Sequence, residues 1–192
     1  MSTVMQHVDI IDIKFDIKEL LIGLDHVLNI CDWHEDHNQI GITHSLDHNT
    51  AGAWYDATGS LTYSWGKDAF DEKGNLRAVE RTRSESDFSK FVQEFNSTIW
   101  RNVYDDLSKR YKLGRVRLMR SRPKSCLSWH VDNEMRLHIP LITNPGARLV
   151  IEDHANHLIA DGSVYLADTT KFHTAFNAGL QHRIHLVACV LE

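Results

Sequence analysis

Eight short apolar runs, separated by turn-forming residues, dominate the second part of this 192-residue chain. They span residues 115–120, 127–131, 136–142, 147–152, 157–160, 163–167, 171–175 and 182–191. Asn144-Pro145-Gly146 and Asp161-Gly162 stand between some of them as turn signals. An Asp-Gly pair between two apolar runs predicts a hairpin. Many short strands at even spacing are typical of a β-sandwich or jelly roll, so we predict a mainly β fold.

Helical patterns dominate before residue 112. Asp16 and Glu19 have the spacing of a capping box, and apolar residues follow at helical intervals from Leu20 to Leu28. A second helix is predicted to begin near Ser86, with one apolar stripe formed by Phe88, Phe91, Val92, Phe95, Ile99 and Val103. We therefore expect a single domain over 1–192, in which a helical, loop-rich part (1–111) packs outside the jelly-roll strands (112–192).

The balance of charge bears on the class of partner. A net charge of −5 and a pI of about 6.2 argue against a dedicated nucleic-acid-binding protein. Residues 101–124 nevertheless contain nine Lys or Arg and only two Asp. This stretch could bind nucleic acid, form a solvated strand edge, or direct Arg115 and Arg117, which share a strand face, at an anionic substrate.

The sequence also indicates a compartment. It has no apolar run of about 18 residues and no signal-peptide pattern, so we expect no membrane association. Cys31, Cys126 and Cys189 are scattered and cannot form a closed disulfide framework. We therefore expect a cytoplasmic, reducing environment. The sequence does not indicate an oligomeric state.

A His-x-Asp pair is the first candidate for chemistry, since residues two apart on a strand point to the same face. The chain holds three such pairs, beginning at His7, His34 and His130. Only His130-Val-Asp132 falls at the end of a predicted strand, 127–131. With His173 from a distant strand, it would leave coordination positions open, an arrangement suited to non-haem Fe(II) and O₂.

Basic residues accompany this candidate metal site. Arg183 lies ten residues after His173 in an apolar strand, where a buried guanidinium needs a partner. It could pair bidentately with a carboxylate near the metal. Arg136 and His138, two residues apart on the next predicted strand, share a face with each other.

Together these segments resemble the aspartyl/asparaginyl β-hydroxylase family of 2-oxoglutarate- and Fe(II)-dependent oxygenases, and they are similar to bacterial proline hydroxylases. The resemblance is dense over 112–192 and fainter over 33–66. It implies a double-stranded β-helix, or cupin-like jelly roll, in agreement with the eight predicted strands. It is carried by Ser-Trp-His130-Val-Asp132, Arg136-Leu-His138-Ile-Pro-Leu, Gly162-Ser-Val-Tyr, His173-Thr-Ala-Phe-Asn177 and Arg183-Ile-His-Leu.

The resemblance also implies roles. The iron ligands would be His130, Asp132 and His173. Arg183 would bind the distal carboxylate of 2-oxoglutarate, and Arg136 and His138 would make further contacts with that co-substrate. The implied reaction uses Fe(II), O₂ and 2-oxoglutarate to hydroxylate an amino acid or an Asp, Asn or Pro residue of a peptide or protein, with succinate and CO₂ as co-products.

The chain departs from one branch of that family. The membrane-anchored animal members lack the carboxylate of the iron-binding triad, whereas Asp132 is present here. They also carry a transmembrane segment and helical repeats, and this sequence shows neither. Their location in the endoplasmic reticulum and their protein substrates therefore do not transfer.

The sequence also allows other functions and a second metal site. A cupin-like protein that binds a metal or small molecule without turnover would share the fold but would not need Arg183. A zinc hydrolase could use the same His and Asp ligands. Cys31, His34 and His37, with two more histidines nearby, could form a separate zinc cluster, although no second Cys pair completes it. Otherwise they belong to a polar loop at the pocket mouth, which we expect within residues 31–80.

Overall fold

The computed structural model describes residues 7–48, 52–61, 71–74 and 83–191. Part of the expected pocket mouth, at 49–51, 62–70 and 75–80, lies outside the described residues. The helices are α1 (Ile17–Ile30) and α2 (Ile99–Ser108). The strands are β1 (Val8–Lys14), β2 (Gln39–Gly41), β3 (Thr43–His44), β4 (Lys90–Phe91), β5 (Lys112–Ser121), β6 (Ser125–Cys126), β7 (Met135–Ile142), β8 (Ala147–Ile151), β9 (His154–Asn156), β10 (Ser163–Ala167), β11 (His173–Asn177) and β12 (Arg183–Leu191).

Two antiparallel sheets form the body of the molecule. The larger has the strand order β1-β10-β7-β12-β5-β2, and the smaller has the order β6-β11-β8-β9. From β5 onward the chain passes from one sheet to the other at every connection except the one between β8 and β9. This alternation is that of a jelly roll, and it confirms the predicted mainly β, double-stranded β-helix fold.

One face of the larger sheet packs against the helices. Leu118, Leu186 and Ile139 form a buried row across β5, β12 and β7. They belong to the same apolar core as Leu24 of α1 and Trp100 of α2. The helices therefore cover the outside of the sheet, as predicted, and the opposite face is turned toward the smaller sheet.

The two helices are capped and fitted together by local chemistry. The Asp16 carboxylate accepts the Lys18 N–H at 2.8 Å, which confirms the predicted start of α1. The Trp100 indole N–H donates to the Gly23 carbonyl at 2.9 Å. A Cβ at Gly23 would lie 2.2 Å from Ile99 Cγ2, so only glycine permits this close approach.

The prediction of a helix from Ser86 is wrong. Residues 85–95 form two short 3-10 turns, at Glu85–Asp87 and Gln93–Phe95, with β4 between them, and α2 begins at Ile99. Most of the apolar stripe is buried nonetheless, because the two 3-10 turns and β4 lie against the core. The Thr98 hydroxyl accepts the Trp100 N–H and starts the helix there.

Two strand predictions are also corrected. Residues 127–131 form no strand, since only His130 pairs, through a single bridge to His173. The predicted strand at 157–160 lies instead at His154–Asn156. Glu152 has a φ of 51°, so the chain reverses directly after β8 and β9 pairs back on it.

The predicted hairpin at Asp161-Gly162 is wrong as well. β10 pairs with β7 and with β1, a strand that the sequence patterns did not reveal. The Gly162 carbonyl accepts the Phe15 N–H at 2.9 Å, which ties this turn to the end of β1. No helix among the described residues is long and apolar enough to cross a bilayer.

Candidate active site

The inner face of the larger sheet carries polar side chains in rows. Antiparallel pairing aligns alternate residues of β5, β12 and β7 across the sheet, and these side chains point into the space between the two sheets. Most of them line a cavity of about 510 Å³. The rows are Arg117, Val187 and His138; Met119, His185 and Pro140; and Ser121 with Arg183.

All six residues singled out from the sequence line this one cavity: His130, Asp132, Arg136, His138, His173 and Arg183. Within it, the ligand atoms of His130, Asp132 and His173 lie within 4.8 Å of one another. The main chains of the two histidines pair with each other, and the Asp132 N–H donates to the Thr169 carbonyl at 2.9 Å. Hydrogen bonds of the backbone therefore hold the three side chains together.

The two imidazoles have defined tautomers. His130 Nδ1 lies 2.7 Å from the Ser128 carbonyl oxygen, and His173 Nδ1 lies 3.0 Å from that of Lys171. A carbonyl oxygen only accepts, so each Nδ1 carries the hydrogen and each Nε2 keeps its lone pair. Burial and the neighbouring His130 lower the pKa of His173, which favours the neutral form that binds metals.

Arg136 is surrounded by carboxylates. Its Nε lies 3.2 Å from Asp132 Oδ2, its Nη2 lies 3.0 Å from Glu85 Oε1, and its Nη1 lies 3.6 Å from Glu134 Oε2. The guanidinium is therefore neutralised by the protein itself, and it orients the Asp132 carboxylate. The implied co-substrate contact of Arg136 stays a prediction.

Arg183 has a different environment. It is 5% exposed and forms no ion pair with the described residues. Its Nη1 lies 3.3 Å from the Ser121 hydroxyl, while its Nε and Nη2 lie 3.1 and 2.8 Å from the two ring nitrogens of His185. A neutral imidazole accepts at only one nitrogen, so one of these two contacts is not a hydrogen bond.

Two buried histidines lie close to Arg183. The His138 and His185 rings meet edge to face at 5.8 Å, and neither His138 nitrogen has a hydrogen-bond partner among the described residues. Burial and the positive charge of Arg183 hold the pKa of both histidines well below its ordinary value. They are neutral at physiological pH, so they leave the charge of Arg183 uncompensated.

Glu85 is a functional candidate that the sequence patterns missed. Its carboxylate receives two hydrogen bonds from Arg115, at 2.8 and 2.9 Å, besides the one from Arg136. Burial alone would raise the pKa of Glu85, but Arg115, Arg136 and Arg117 outweigh it and lower that pKa to about 2. Buried arginines require a counter-charge, but no local pattern shows which distant acid supplies it.

The other histidine-rich segment does not form a comparable site. Among the described residues, the groups of potential ligands that come within 4.8 Å include none of Cys31, His34 and His37. The His34 and His37 rings instead stack at 4.3 Å. Burial, followed by nearby acids, raises the pKa of Cys31 to about 12, which disfavours a thiolate ligand. His37 does line the cavity.

The basic stretch 101–124 does not present one continuous charged face. Arg115 and Arg117 are buried inside the cavity, in the direction that would suit an anionic substrate. β5 lies between β12 and β2, so it is not an edge strand over the segment that pairs with β2. Farther along, Arg120 and Arg122 both donate to Asn38 Oδ1 at the cavity wall.

Comparison with known proteins identifies the family. The family described as Aspartyl/Asparaginyl beta-hydroxylase matches residues 47–192. The chain therefore belongs to the aspartyl/asparaginyl β-hydroxylase family, which confirms the resemblance carried by the sequence motifs. No curated protein matches the chain.

One solved structure supports the fold, and two others show partial similarity. The viral collagen prolyl hydroxylase vCPH of Paramecium Bursaria Chlorella virus-1, in a truncated form, superposes with a TM-score of 0.52 at 10% identity, over 96% of this chain and 90% of that one. An oxidoreductase of the 2OG-Fe(II) oxygenase family from Burkholderia pseudomallei gives a TM-score of 0.36 at 19% identity, over 49% and 52% of the two chains. AerE from Microcystis aeruginosa gives 0.35 at 17% identity, over 41% of this chain and only 36% of AerE.

Proposed function

We propose that this protein is a 2-oxoglutarate- and Fe(II)-dependent dioxygenase. It would hydroxylate an unactivated C–H bond of an amino acid or of an Asp, Asn or Pro residue, with release of succinate and CO₂. The observation that carries the proposal is the shared cavity, in which two histidines and one carboxylate converge beside Arg183, a buried arginine without an acidic partner among the described residues.

The donor set fits Fe(II). His130 and His173 offer imidazole Nε2 atoms, and Asp132 offers a carboxylate oxygen. Two histidines and one carboxylate on a β scaffold are typical of non-haem Fe(II) oxygenases, since half of an octahedral sphere remains open. When bound there, the iron supplies the activation of O₂. The protein holds its ligands in place through the histidine main-chain bridge and through Arg136.

The region around Arg183 fits the distal carboxylate of 2-oxoglutarate. A carboxylate can accept two parallel hydrogen bonds from one guanidinium, and it would restore the charge balance of this buried arginine. The Ser121 hydroxyl offers a further polar contact at the same end of the cavity, and the unpartnered His138 ring lies farther along the sheet, in the row of Val187. Burial lowers the pKa of Arg183 to about 10, so the side chain is still a cation at neutral pH.

Arg183 also separates this proposal from the two alternatives. A cupin-like protein that only binds a metal does not need a buried cation near its ligands, and neither does a zinc hydrolase. An unpaired buried charge is costly to stability, so its presence favours a function that uses an anionic co-substrate.

Turnover in air tests the proposal. Purified protein with Fe(II) and 2-oxoglutarate is screened against free amino acids and short peptides, and succinate is measured. We expect substrate-stimulated succinate release by the wild type and none by Asp132→Ala. Asp153→Ala is the control, since its side chain is 88% exposed and lies in the turn after β8. Equal release by Asp132→Ala, or zinc-dependent hydrolysis without O₂, would overturn the proposal.

A further inference from the structure

A second arginine of the cavity is buried without a direct ion pair to any acid of the described residues. Arg117 is 7% exposed and forms no ion pair with the described residues. Its Nη1 donates to Gln39 Oε1 at 3.0 Å and to the Gly59 carbonyl at 3.1 Å, and both acceptors are neutral. Its Nε is buried without a hydrogen-bond partner among the described residues.

This arrangement leaves one edge of the guanidinium available. Nη1 is held by Gln39 and Gly59, whereas the edge formed by Nε and Nη2 makes no hydrogen bond with the described residues. Gln39 is itself fixed, because its Oε1 also accepts the Gly59 N–H at 3.0 Å. Two parallel N–H donors on one guanidinium edge match the two oxygens of a carboxylate.

The neighbouring arginines do not share this property. Arg115 forms a two-point ion pair with Glu85, and Arg136 contacts Glu85 and Asp132. Burial and the positive charge of Arg115 lower the pKa of Arg117 to about 9, and the more distant Glu85 carboxylate offsets this only in part. Six arginines and two aspartates are found among the described residues that line the cavity, so its surplus charge is positive.

The main chains of Arg117 and Arg183 lie far apart along the sheet. Arg117 of β5 pairs with Val187 of β12, and Ser121 of β5 pairs with Arg183 of β12. The two pairs are therefore separated by four residues on each strand. Four residues of a β-strand span about 13 Å. If 2-oxoglutarate occupies the Arg183 end, Arg117 is left for another anion within the same cavity.

We propose that Arg117 binds a carboxylate of the substrate that is hydroxylated, which makes an acid the preferred substrate. The inference rests on the proposed oxygenase function and narrows its substrate class. The carboxylate could be the α-carboxylate of a free amino acid or the side chain of an aspartyl residue within a peptide. Both present the same two oxygens to the guanidinium edge, so Arg117 is a specificity-determining residue in either case.

Matched acids and amides test this assignment on the intact protein. The anaerobic complex with Fe(II) and 2-oxoglutarate is titrated with L-proline, L-leucine and L-aspartate against L-prolinamide, L-leucinamide and L-aspartic α-amide. A second arm compares acetyl-Gly-Asp-Gly-amide with acetyl-Gly-Asn-Gly-amide. Binding is followed by the rise in melting temperature and by the change in the visible Fe(II)-2-oxoglutarate absorption band. The first arm reports an α-carboxylate and the second a side-chain carboxylate.

Three proteins are compared: the wild type, Arg117→Gln, and Arg148→Gln as the matched control outside the cavity lining. We expect the wild type to bind the acid of at least one pair at least tenfold more tightly than the amide. Arg117→Gln should lose this preference and keep the absorption band, whereas Arg148→Gln should keep both. If Arg117→Gln does not fold, Arg117→Lys carries the comparison, because lysine retains the charge and lacks the two-donor edge.

The contrary outcomes are distinct. Equal binding of acids and amides by the wild type, or an undiminished acid preference in Arg117→Gln, overturns the assignment. Loss of the absorption band in Arg117→Gln alone also overturns it, since Arg117 would then serve 2-oxoglutarate. A wild type that forms no band at all removes the proposed oxygenase function, and it is thereby distinguished from a failure of the Arg117 assignment alone.

Discussion

The main chains of His130 and His173 form an isolated antiparallel bridge, in which the N–H of each residue donates to the carbonyl of the other at 3.0 and 2.9 Å. Paired residues on antiparallel segments project their side chains to the same side. The two imidazole rings are therefore 4.2 Å apart between centroids. This one bridge joins the loop after β6 to the start of β11 and sets the spacing of the proposed metal ligands.

Removal of the Arg183 charge should weaken the binding of 2-oxoglutarate and leave the binding of iron unchanged. Arg183→Gln loses the charge-assisted pair with a carboxylate, which is commonly worth about 1.5–3 kcal/mol. We expect the Kd for 2-oxoglutarate, measured on the anaerobic Fe(II) protein, to rise about 10- to 100-fold. Iron affinity in the absence of 2-oxoglutarate should change little. A Kd for 2-oxoglutarate equal to that of the wild type would argue that Arg183 is structural.

The buried carboxylate of Glu85 should be important for stability. Glu85→Gln leaves the guanidinium groups of Arg115 and Arg136 without their shared counter-charge. Removal of one partner from a buried ion pair typically costs about 3–5 kcal/mol in the free energy of unfolding. Chemical denaturation of the variant measures this cost. Lys14→Ala breaks an exposed pair with Asp161 and serves as the control, with an expected loss below about 1 kcal/mol.

The same carboxylate predicts a dependence of stability on pH. The pKa of Glu85 is about 2 in the folded protein and has an ordinary value of 4.5. The folded state therefore binds this proton less readily than the unfolded state, and the ionised group stabilises the fold fully above pH 4.5. This contribution should decline as the pH falls from 4.5 toward 2. The difference in unfolding free energy between wild type and Glu85→Gln should shrink over that interval, and a constant difference would contradict the assignment.

The turn at Gly162 should tolerate no side chain. Gly162 has a φ of 87°, and a Cβ there would lie 1.8 Å from the Phe15 carbonyl oxygen. Gly162→Ala combines a strained backbone with a clash against another main-chain atom, so we expect it to destabilise the protein by more than about 1 kcal/mol. Gly74→Ala is the control, since it has a similar φ of 82° and open space around the new Cβ. Equal melting temperatures for the two variants would contradict the close packing of this turn.

The sequence predicts the fold class well because apolar and polar residues largely alternate along β5, β7 and β12, as expected for strands with two different faces. Their apolar residues pack against the helices, and their polar residues line the cavity. The first strand was missed because β1 alternates poorly: Val8 is buried, but Ile10 is 67% exposed. The aromatic stripe at 88–103 predicted one helix, although short turns can bury the same side chains.

The sequence predicts some residues of the candidate site and not others. His130, Asp132, His173 and Arg183 belong to short motifs, and the structure brings them into one cavity. Glu85 lies in a different part of the chain, and its contacts with Arg115 and Arg136 arise only from tertiary packing. Local patterns therefore indicate which residues have the right chemistry, whereas the partners that neutralise or position them depend on the fold.

An anaerobic titration of Fe(II) into the protein with 2-oxoglutarate tests the central claim most directly. We predict a visible metal-to-ligand absorption band that saturates at one iron per chain and is lost in His130→Ala. His26→Ala, which changes an exposed histidine of α1, should show the band of the wild type. The absence of a band in the wild type, or an equal band in His130→Ala, would contradict an Fe(II) and 2-oxoglutarate site at His130, Asp132 and His173.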